Sequence, residues 1–128
     1  MTYTQIAVER RGAVEWLFHD RPALRNAESS VLLDELDAAL RAATADEAVR
    51  CIVIAGKGDH FSAGHDLKEG QERRQGFTVE QRFEYEERRY LEYSLRIWDC
   101  PKPTIASVQG ACIAGGFMVA NMCDMIVA

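Results

Sequence analysis

Two short segments combine small residues with polar groups that could take part in chemistry. The first is residues 60–68, HFSAGHDLK, and the second is residues 109–118, QGACIAGGFM. Each follows a continuous apolar run typical of a buried strand, and ligands of α/β proteins bind where such strands end. The second segment also enters a predicted helix, whose unpaired amides favour an anion or a developing oxyanion. Together the two segments could direct two backbone N–H groups at one carbonyl oxygen.

The same segments allow other interpretations. Ser62, His65 and Asp66 are the residue types of a hydrolase triad, but a triad depends on geometry and not on proximity in sequence. Gly110 and Gly115 have the spacing of a phosphate-binding loop, but the Lys and Ser/Thr that such a loop needs do not follow them. The chain's three histidines lack metal-ligand spacing, so no metal is predicted. Purely structural glycine turns remain an alternative.

The elements that must position these segments alternate between strand and helix. Apolar residues at every second position predict a hairpin over residues 5–10 and 13–18. A helix is predicted from Ser29 or Ser30, with a serine as N-cap, to residues 44–47. Buried strands are predicted at residues 51–55 and 104–108, with a shaped loop over 61–67. This order favours an α/β fold with a parallel sheet.

The later part of the chain continues the pattern. Residues 78–81 resemble a capping box and predict a long helix to about residue 98, with an inward face that consists of Phe83, Tyr90, Leu91, Leu95 and Trp98. A further helix over residues 114–122 and a strand from residue 125 complete the alternation.

Composition excludes several classes of protein. The 128 residues suit one domain, and a net charge of −5 without a basic stripe argues against a nucleic-acid partner. No apolar run is long enough for a membrane helix and no signal peptide precedes the hairpin, so we expect a cytoplasmic protein without a membrane partner. The four cysteines match no zinc pattern, and we expect reduced structural thiols.

Both segments, in this order, resemble motifs of the crotonase superfamily, which is the enoyl-CoA hydratase/isomerase family. Residues 61–68 are similar to its F-[SA]-A-G-x-D-[LI]-K motif, and residues 102–124 to its K-P-x-I-A-x-V-x-G…G-G…A…C-D motif. The stretch 21–27, RPALRNA, resembles the family's R-P-x…N-A stretch. The resemblance covers nearly the whole chain.

The resemblance implies a truncated α/β fold of the crotonase-like ββα spiral type, also called ClpP/crotonase-type. Residues 1–128 would then form the N-terminal part of an acyl-CoA-binding domain, because family members are about twice as long and add C-terminal helices. It also implies assembly as a homotrimer or hexamer, a role in fatty-acid or related acyl-CoA metabolism, and no cofactor apart from the coenzyme A of the substrate.

The resemblance assigns roles to particular residues. The backbone N–H groups of His65 and Gly115 would form an oxyanion hole for a thioester. Family members usually carry a small residue at position 65, and we expect the His65 imidazole to fold over the pocket without transferring a proton. A role of the imidazole in catalysis is the alternative. Contacts to the substrate or its coenzyme A are implied for a group of seven residues: Arg25, Ala63, His65, Asp66, Leu67, Lys68 and Gly115. Arg25 is alternatively an ordinary surface arginine.

Met118 is the departure that matters most. Hydratases of the family carry a catalytic Glu at the matching position, and hydration needs groups that move protons, which a thioether cannot do. The second family carboxylate falls about 20 residues later, beyond Ala128, and isomerases of the family work with that one alone. We therefore expect an enzyme of the family without ordinary hydratase activity. The alternative is a non-catalytic CoA-binding or assembly fragment.

Overall fold

The strands follow one another across a single sheet in chain order. The computed structural model describes residues 2–128, with β1 (Ile6–Arg11) and β2 (Val14–His19) as an antiparallel hairpin. The strands β3 (Cys51–Gly56), β4 (Thr104–Ser107) and β5 (Met125–Val127) then add in parallel. The predicted hairpin, the buried strands and the α/β class are confirmed.

Helix α1 (Ser30–Ala45) covers the sheet and builds most of the core. Ser29 is its N-cap and accepts a hydrogen bond from the Leu32 amide, as the sequence predicted. Leucines and alanines at helical spacing form its buried face, which packs on Leu17, Ile52 and Ile54 of the sheet. Burial of such side chains contributes about 1.5–3 kcal/mol for each large one.

The predicted long helix consists of three parts. Helix α3 (Val79–Glu86) begins with the predicted capping box, a π-helical segment spans Glu87–Glu92, and helix α4 is Tyr93–Trp98. The inward face was predicted wrongly, except for Tyr90, which is half-buried. The exposed residues are Phe83, Leu91, Leu95 and Trp98, whereas Ser94 and Ile97 are buried. The wider π-helical turn changes the spacing on which the prediction relied.

Two further helices border the two polar segments. Helix α2 (Leu67–Arg74) was not predicted, and Asp66 is its N-cap. Helix α5 (Gly115–Met122) begins one residue later than predicted and has no side-chain cap. Within residues 2–128, no helix is both long enough and apolar enough to cross a bilayer.

The parallel register brings the two polar segments to the same edge of the sheet. Beyond β3 and β4 the Phe61 amide donates to Gln109 O over 2.8 Å, and the Ser62 amide donates to Ala111 O over 3.0 Å. Ser62 and Cys112 form an isolated parallel bridge. The two segments therefore lie side by side, held by backbone hydrogen bonds.

Candidate functional site

Three backbone segments meet at this edge. Residues 25–28 lie on the other side of the first polar segment: the Ala63 amide donates to Arg25 O over 2.9 Å, and the Glu28 amide donates to Gly64 O over 2.7 Å. The Asp66 amide returns a hydrogen bond to Glu28 O over 3.0 Å. The backbone of residues 63–66 is therefore fixed on both sides by distant parts of the chain.

Gly64 allows the two polar segments to approach closely. Its φ is +86°, which favours glycine, and a Cβ there would lie 2.6 Å from Ile113 O and 3.3 Å from the Gly115 nitrogen. Any larger residue would separate His65 from the start of α5. The glycine in the first segment is thus required by both conformation and space.

Two amides at this junction have no acceptor. Neither the His65 N–H nor the Gly115 N–H donates a hydrogen bond within residues 2–128. Gly115 is the first residue of α5, and the next amide, that of Gly116, bonds back to Ile113 O over 2.9 Å. The first amides of a helix lack partners within the helix and carry partial positive charge. These two N–H groups can therefore donate to an external oxygen.

Glu28 is a buried carboxyl group that sequence reasoning missed. It is 2% exposed, and neither carboxyl oxygen makes a well-aligned hydrogen bond among residues 2–128, although the Tyr90 phenol lies close by. Burial raises the pKa of Glu28 to about 7, and the neighbouring Tyr90 phenol offsets only part of this effect. A Cβ added to Gly115 would overlap Glu28 Oε2, so the carboxyl group touches the Gly115 backbone. The only signal in the sequence was an acidic residue directly after the RPALRNA stretch.

Tyr90 lies beside the carboxyl group of Glu28 and stacks on His65. Their rings stack with centroids 3.9 Å apart and an interplanar angle of 13°. Burial lowers the pKa of His65. Burial and then the charge of Glu28 raise the pKa of Tyr90, which therefore stays a neutral phenol. The π-helical segment contains Tyr90, and such segments are frequent at functional sites.

A cavity of about 220 Å³ opens beside this cluster. Its lining includes Glu28, His65 and Tyr90 together with residues of α2 and α3. The lining also includes three arginines, Arg73, Arg74 and Arg82. A small acyl group could reach the buried carboxyl group by this route.

The other predicted contact residues differ in exposure. Arg25, Leu67 and Lys68 are exposed, and Ala63 is half-buried. The side chain of Asp66 already has a structural role, because it caps α2 and pairs with Arg21 at 3.0 Å. Its carboxylate is therefore not free for a ligand.

Met118 lies outside the cavity. It is half-buried on α5, and its sulfur accepts a hydrogen bond from Ser94 Oγ over 3.2 Å. A thioether there accepts only weakly and cannot exchange a proton.

The buried polar residues of the two motifs have structural roles. Asn26 accepts from the Arg21 amide and donates to Lys57 O and His60 O, which ties three turns together. Ser62 is fully buried and donates to Asn26 O over 2.8 Å. With its hydroxyl proton committed to a carbonyl, Ser62 does not form a hydrolase triad.

Comparison with known proteins defines the class. The sequence model described as enoyl-CoA hydratase/isomerase matches residues 9–128. A probable enoyl-CoA hydratase of Rhizobium meliloti (strain 1021) is 38% identical over the whole chain, which covers 47% of that protein.

Solved structures agree with the sequence relatives. A probable enoyl-CoA hydratase from Mycobacterium smegmatis superposes with a TM-score of 0.87 at 42% identity, over 95% of this chain and 47% of that one. An enoyl-CoA hydratase/isomerase from Xanthobacter autotrophicus Py2 has a TM-score of 0.90 at 38% identity, over 98% of this chain and 46% of that one.

The arrangement of sheet and helices is therefore that of the crotonase superfamily. This chain belongs to the enoyl-CoA hydratase/isomerase family, corresponds to the N-terminal part of its longer members, and spans about half the length of the curated relatives it matches.

Proposed function

We propose that the protein binds an acyl-CoA thioester and polarises its carbonyl group between the backbone N–H groups of His65 and Gly115. The observation that carries the proposal is the presence of two amides without acceptors on two polar segments in contact. The reaction class is enolate chemistry at the carbon next to the thioester.

The chemistry follows from where charge develops. Removal of a proton from the acyl α-carbon places negative charge on the thioester oxygen. Two fixed amides that face this oxygen stabilise it without reorganisation, and loss of one such donor typically costs about 2.7–4 kcal/mol of transition-state stabilisation. The buried start of α5 adds the partial positive charge of its helix.

Coenzyme A would lie along the exposed surface formed by Arg25, Ala63, Leu67 and Lys68. Arginine suits phosphate because its guanidinium presents a planar fork of donors, and exposed cations at this edge would meet the nucleotide end. The family expectations of a homotrimer or hexamer, a cytoplasmic location and a role in fatty-acid or related acyl-CoA metabolism belong to the same proposal.

A matched pair of variants tests the amide at position 65. His65→Pro removes the N–H, whereas His65→Ala keeps it and removes only the imidazole. We expect His65→Pro to slow isomerisation of a 3-enoyl-CoA by about 10²–10³-fold relative to His65→Ala. Circular dichroism and thermal unfolding would establish that both variants fold.

Binding separates this proposal from its rival, a non-catalytic CoA-binding or assembly fragment. The protein isolated from its source should bind butanoyl-CoA. Binding should shift the infrared band of the ligand's ¹³C-labelled thioester carbonyl to lower frequency. Retained binding with no carbonyl shift and no turnover of crotonyl-CoA or 3-enoyl-CoA would favour the rival.

A further inference from the structure

We propose that Glu28 is the group that removes and returns the substrate proton at this site. The proposal rests on the proposed function, because the thioester must lie between His65 and Gly115 for Glu28 to act on it. It supplies from within this chain the proton-transfer group that Met118 cannot provide.

The backbone holds Glu28 at the centre of the site. Its amide donates to Gly64 O and its carbonyl accepts from the Asp66 amide, so it brackets His65. The side chain turns inward and touches the backbone of Gly115. Glu28 thus lies next to His65 through its backbone and next to Gly115 through its carboxyl group.

The carboxyl group also borders the cavity, together with His65 and Tyr90. A ligand that enters there with its carbonyl oxygen on the two amides would bring its α-carbon to the neighbouring position, next to Glu28. The geometry therefore joins an oxyanion site, a carboxyl group and a route of entry.

A structural role would require stronger partners than the single neighbouring phenol of Tyr90. Buried carboxylates that stabilise a fold accept hydrogen bonds or pair with cations, as Glu15 does with Arg10 at 2.5 Å. Glu28 pairs with no cation within the described residues, and the neighbouring Tyr90 phenol forms no well-aligned hydrogen bond with either carboxyl oxygen. A buried polar group without partners costs stability, which is understandable where the group must be free to meet a ligand.

A single carboxyl group can carry out both proton transfers in the isomerisation of a 3-enoyl thioester. The Glu28 carboxylate takes the C2 proton of a 3-enoyl thioester, and the C–H electron pair moves toward the carbonyl to give a dienolate. The two amides stabilise the oxygen of the dienolate. Glu28 then returns the proton to C4, the double bond moves to C2–C3, and the carboxylate is restored without water or a cofactor.

The simplest assay follows only the first half of that reaction. A base near the α-carbon exchanges the C2 protons of butanoyl-CoA, a saturated thioester, for deuterium in D₂O, which mass spectrometry measures. We expect the protein isolated from its source to catalyse this exchange. Glu28→Gln should slow it at least 100-fold while butanoyl-CoA still binds and its carbonyl band still shifts.

Two further variants make the result specific. Glu28→Asp keeps a carboxylate but shortens it, and should give a rate between those of the wild type and Glu28→Gln. Glu15→Gln alters another buried carboxylate, on β2 and outside the cavity, and should leave the exchange rate unchanged.

The outcomes separate the two proposals. Exchange by Glu28→Gln within threefold of the wild-type rate would overturn the role of Glu28. So would a wild type that binds and polarises the thioester but exchanges no deuterium, although the proposed function would then stand. Failure of the wild type to bind or polarise butanoyl-CoA would overturn both.

Discussion

Two buried ionisable residues near the same edge of the sheet have different surroundings. His19, at the end of β2, is fully buried, bonds Phe61 O through Nδ1 at 3.0 Å and packs edge-on against the Phe61 ring. Its Nε2 has no partner within residues 2–128, and neither carboxyl oxygen of Glu28 makes a well-aligned hydrogen bond there. His19 is enclosed by the core, whereas Glu28 borders a cavity beside two free amides.

A buried atom without a partner does not by itself identify a functional group. Burial disfavours the charged form of both side chains. Only Glu28 combines that property with access for a ligand and with amides that could stabilise the product of its reaction. We therefore assign His19 to the fold and Glu28 to chemistry.

The largest expected effect is a contrast between these two residues in deuterium exchange. Glu28→Gln should lose at least 100-fold in rate, whereas His19→Leu should retain the wild-type rate per folded molecule. His19→Leu should instead lower the free energy of unfolding by about 1–3 kcal/mol, because Phe61 O loses its donor. A large rate loss in folded His19→Leu would break the distinction.

The burial of His19 should make the free energy of unfolding depend on pH in the acid range. Burial lowers the pKa of His19 from 6.5 to about 4, so the folded protein keeps it neutral while the unfolded chain takes up a proton. This contribution is complete above pH 6.5, falls as the pH is lowered, and amounts to about 3 kcal/mol. Urea unfolding of wild type and His19→Leu between pH 7 and 4 measures it, and a pH dependence identical in both proteins would contradict it.

Glu28 should affect the pH dependence of stability in the opposite direction. Burial raises its pKa from 4.5 to about 7, so its favourable contribution to folding is complete below pH 4.5 and is lost as the pH rises through 7. Its activity as a base has the reverse dependence, because only the carboxylate accepts a proton.

Exchange should therefore fall about tenfold for each pH unit below 7, with a plateau above. Other ionisable groups around Glu28 are Tyr90 and Cys112, whose pKa values are raised, and His65, whose pKa is lowered. Charged groups that line the same cavity are Asp66, Glu69, Arg73, Arg74, Arg82 and Glu86. If His65→Ala abolished the pH dependence, the imidazole and not Glu28 would be the titrating group.

A smaller effect is expected from Gly115→Ala. The new Cβ would overlap Glu28 Oε2, and the flexible carboxyl end must move aside while the Gly115 N–H remains. We expect exchange to fall about tenfold, which is less than the roughly 10²–10⁴-fold that complete loss of a general base costs. Gly76→Ala is the matched control, since a Cβ there meets nothing within 4 Å. Equal rates in the two variants would show that the Glu28 position does not matter.

The smallest expected change is that of Met118→Glu. The new carboxyl group would lie beside Ser94, outside the cavity that Glu28 borders. Glu28 alone transfers one proton, whereas hydration also needs a positioned water. Crotonyl-CoA hydration should therefore stay at its wild-type level, and robust hydration by this variant would show that the site includes residue 118.

The sequence predicted the elements whose patterns are local. The hairpin, the Ser29 cap and the strands at β3 and β4 follow from alternation, capping and apolar runs. Helix α2 escaped prediction because it has no buried residue, so its sequence lacks an apolar stripe. The inward face of the long helix failed because a π-helical turn interrupts the regular spacing.

The candidate site was partly predictable for a related reason. The two polar segments could be found because small residues after buried strands have a local signature. The burial of Glu28 could not, since it depends on contacts with Gly64 and Gly115, which are far away in sequence. An acidic residue in a surface-like stretch is normally exposed, and only the packed backbone shows otherwise.

The most direct test is a crystal structure of the protein isolated from its source, with butanoyl-CoA bound. The thioester oxygen should lie about 2.7–3.1 Å from the backbone nitrogens of both His65 and Gly115. A bound thioester whose oxygen contacts neither nitrogen would contradict the account.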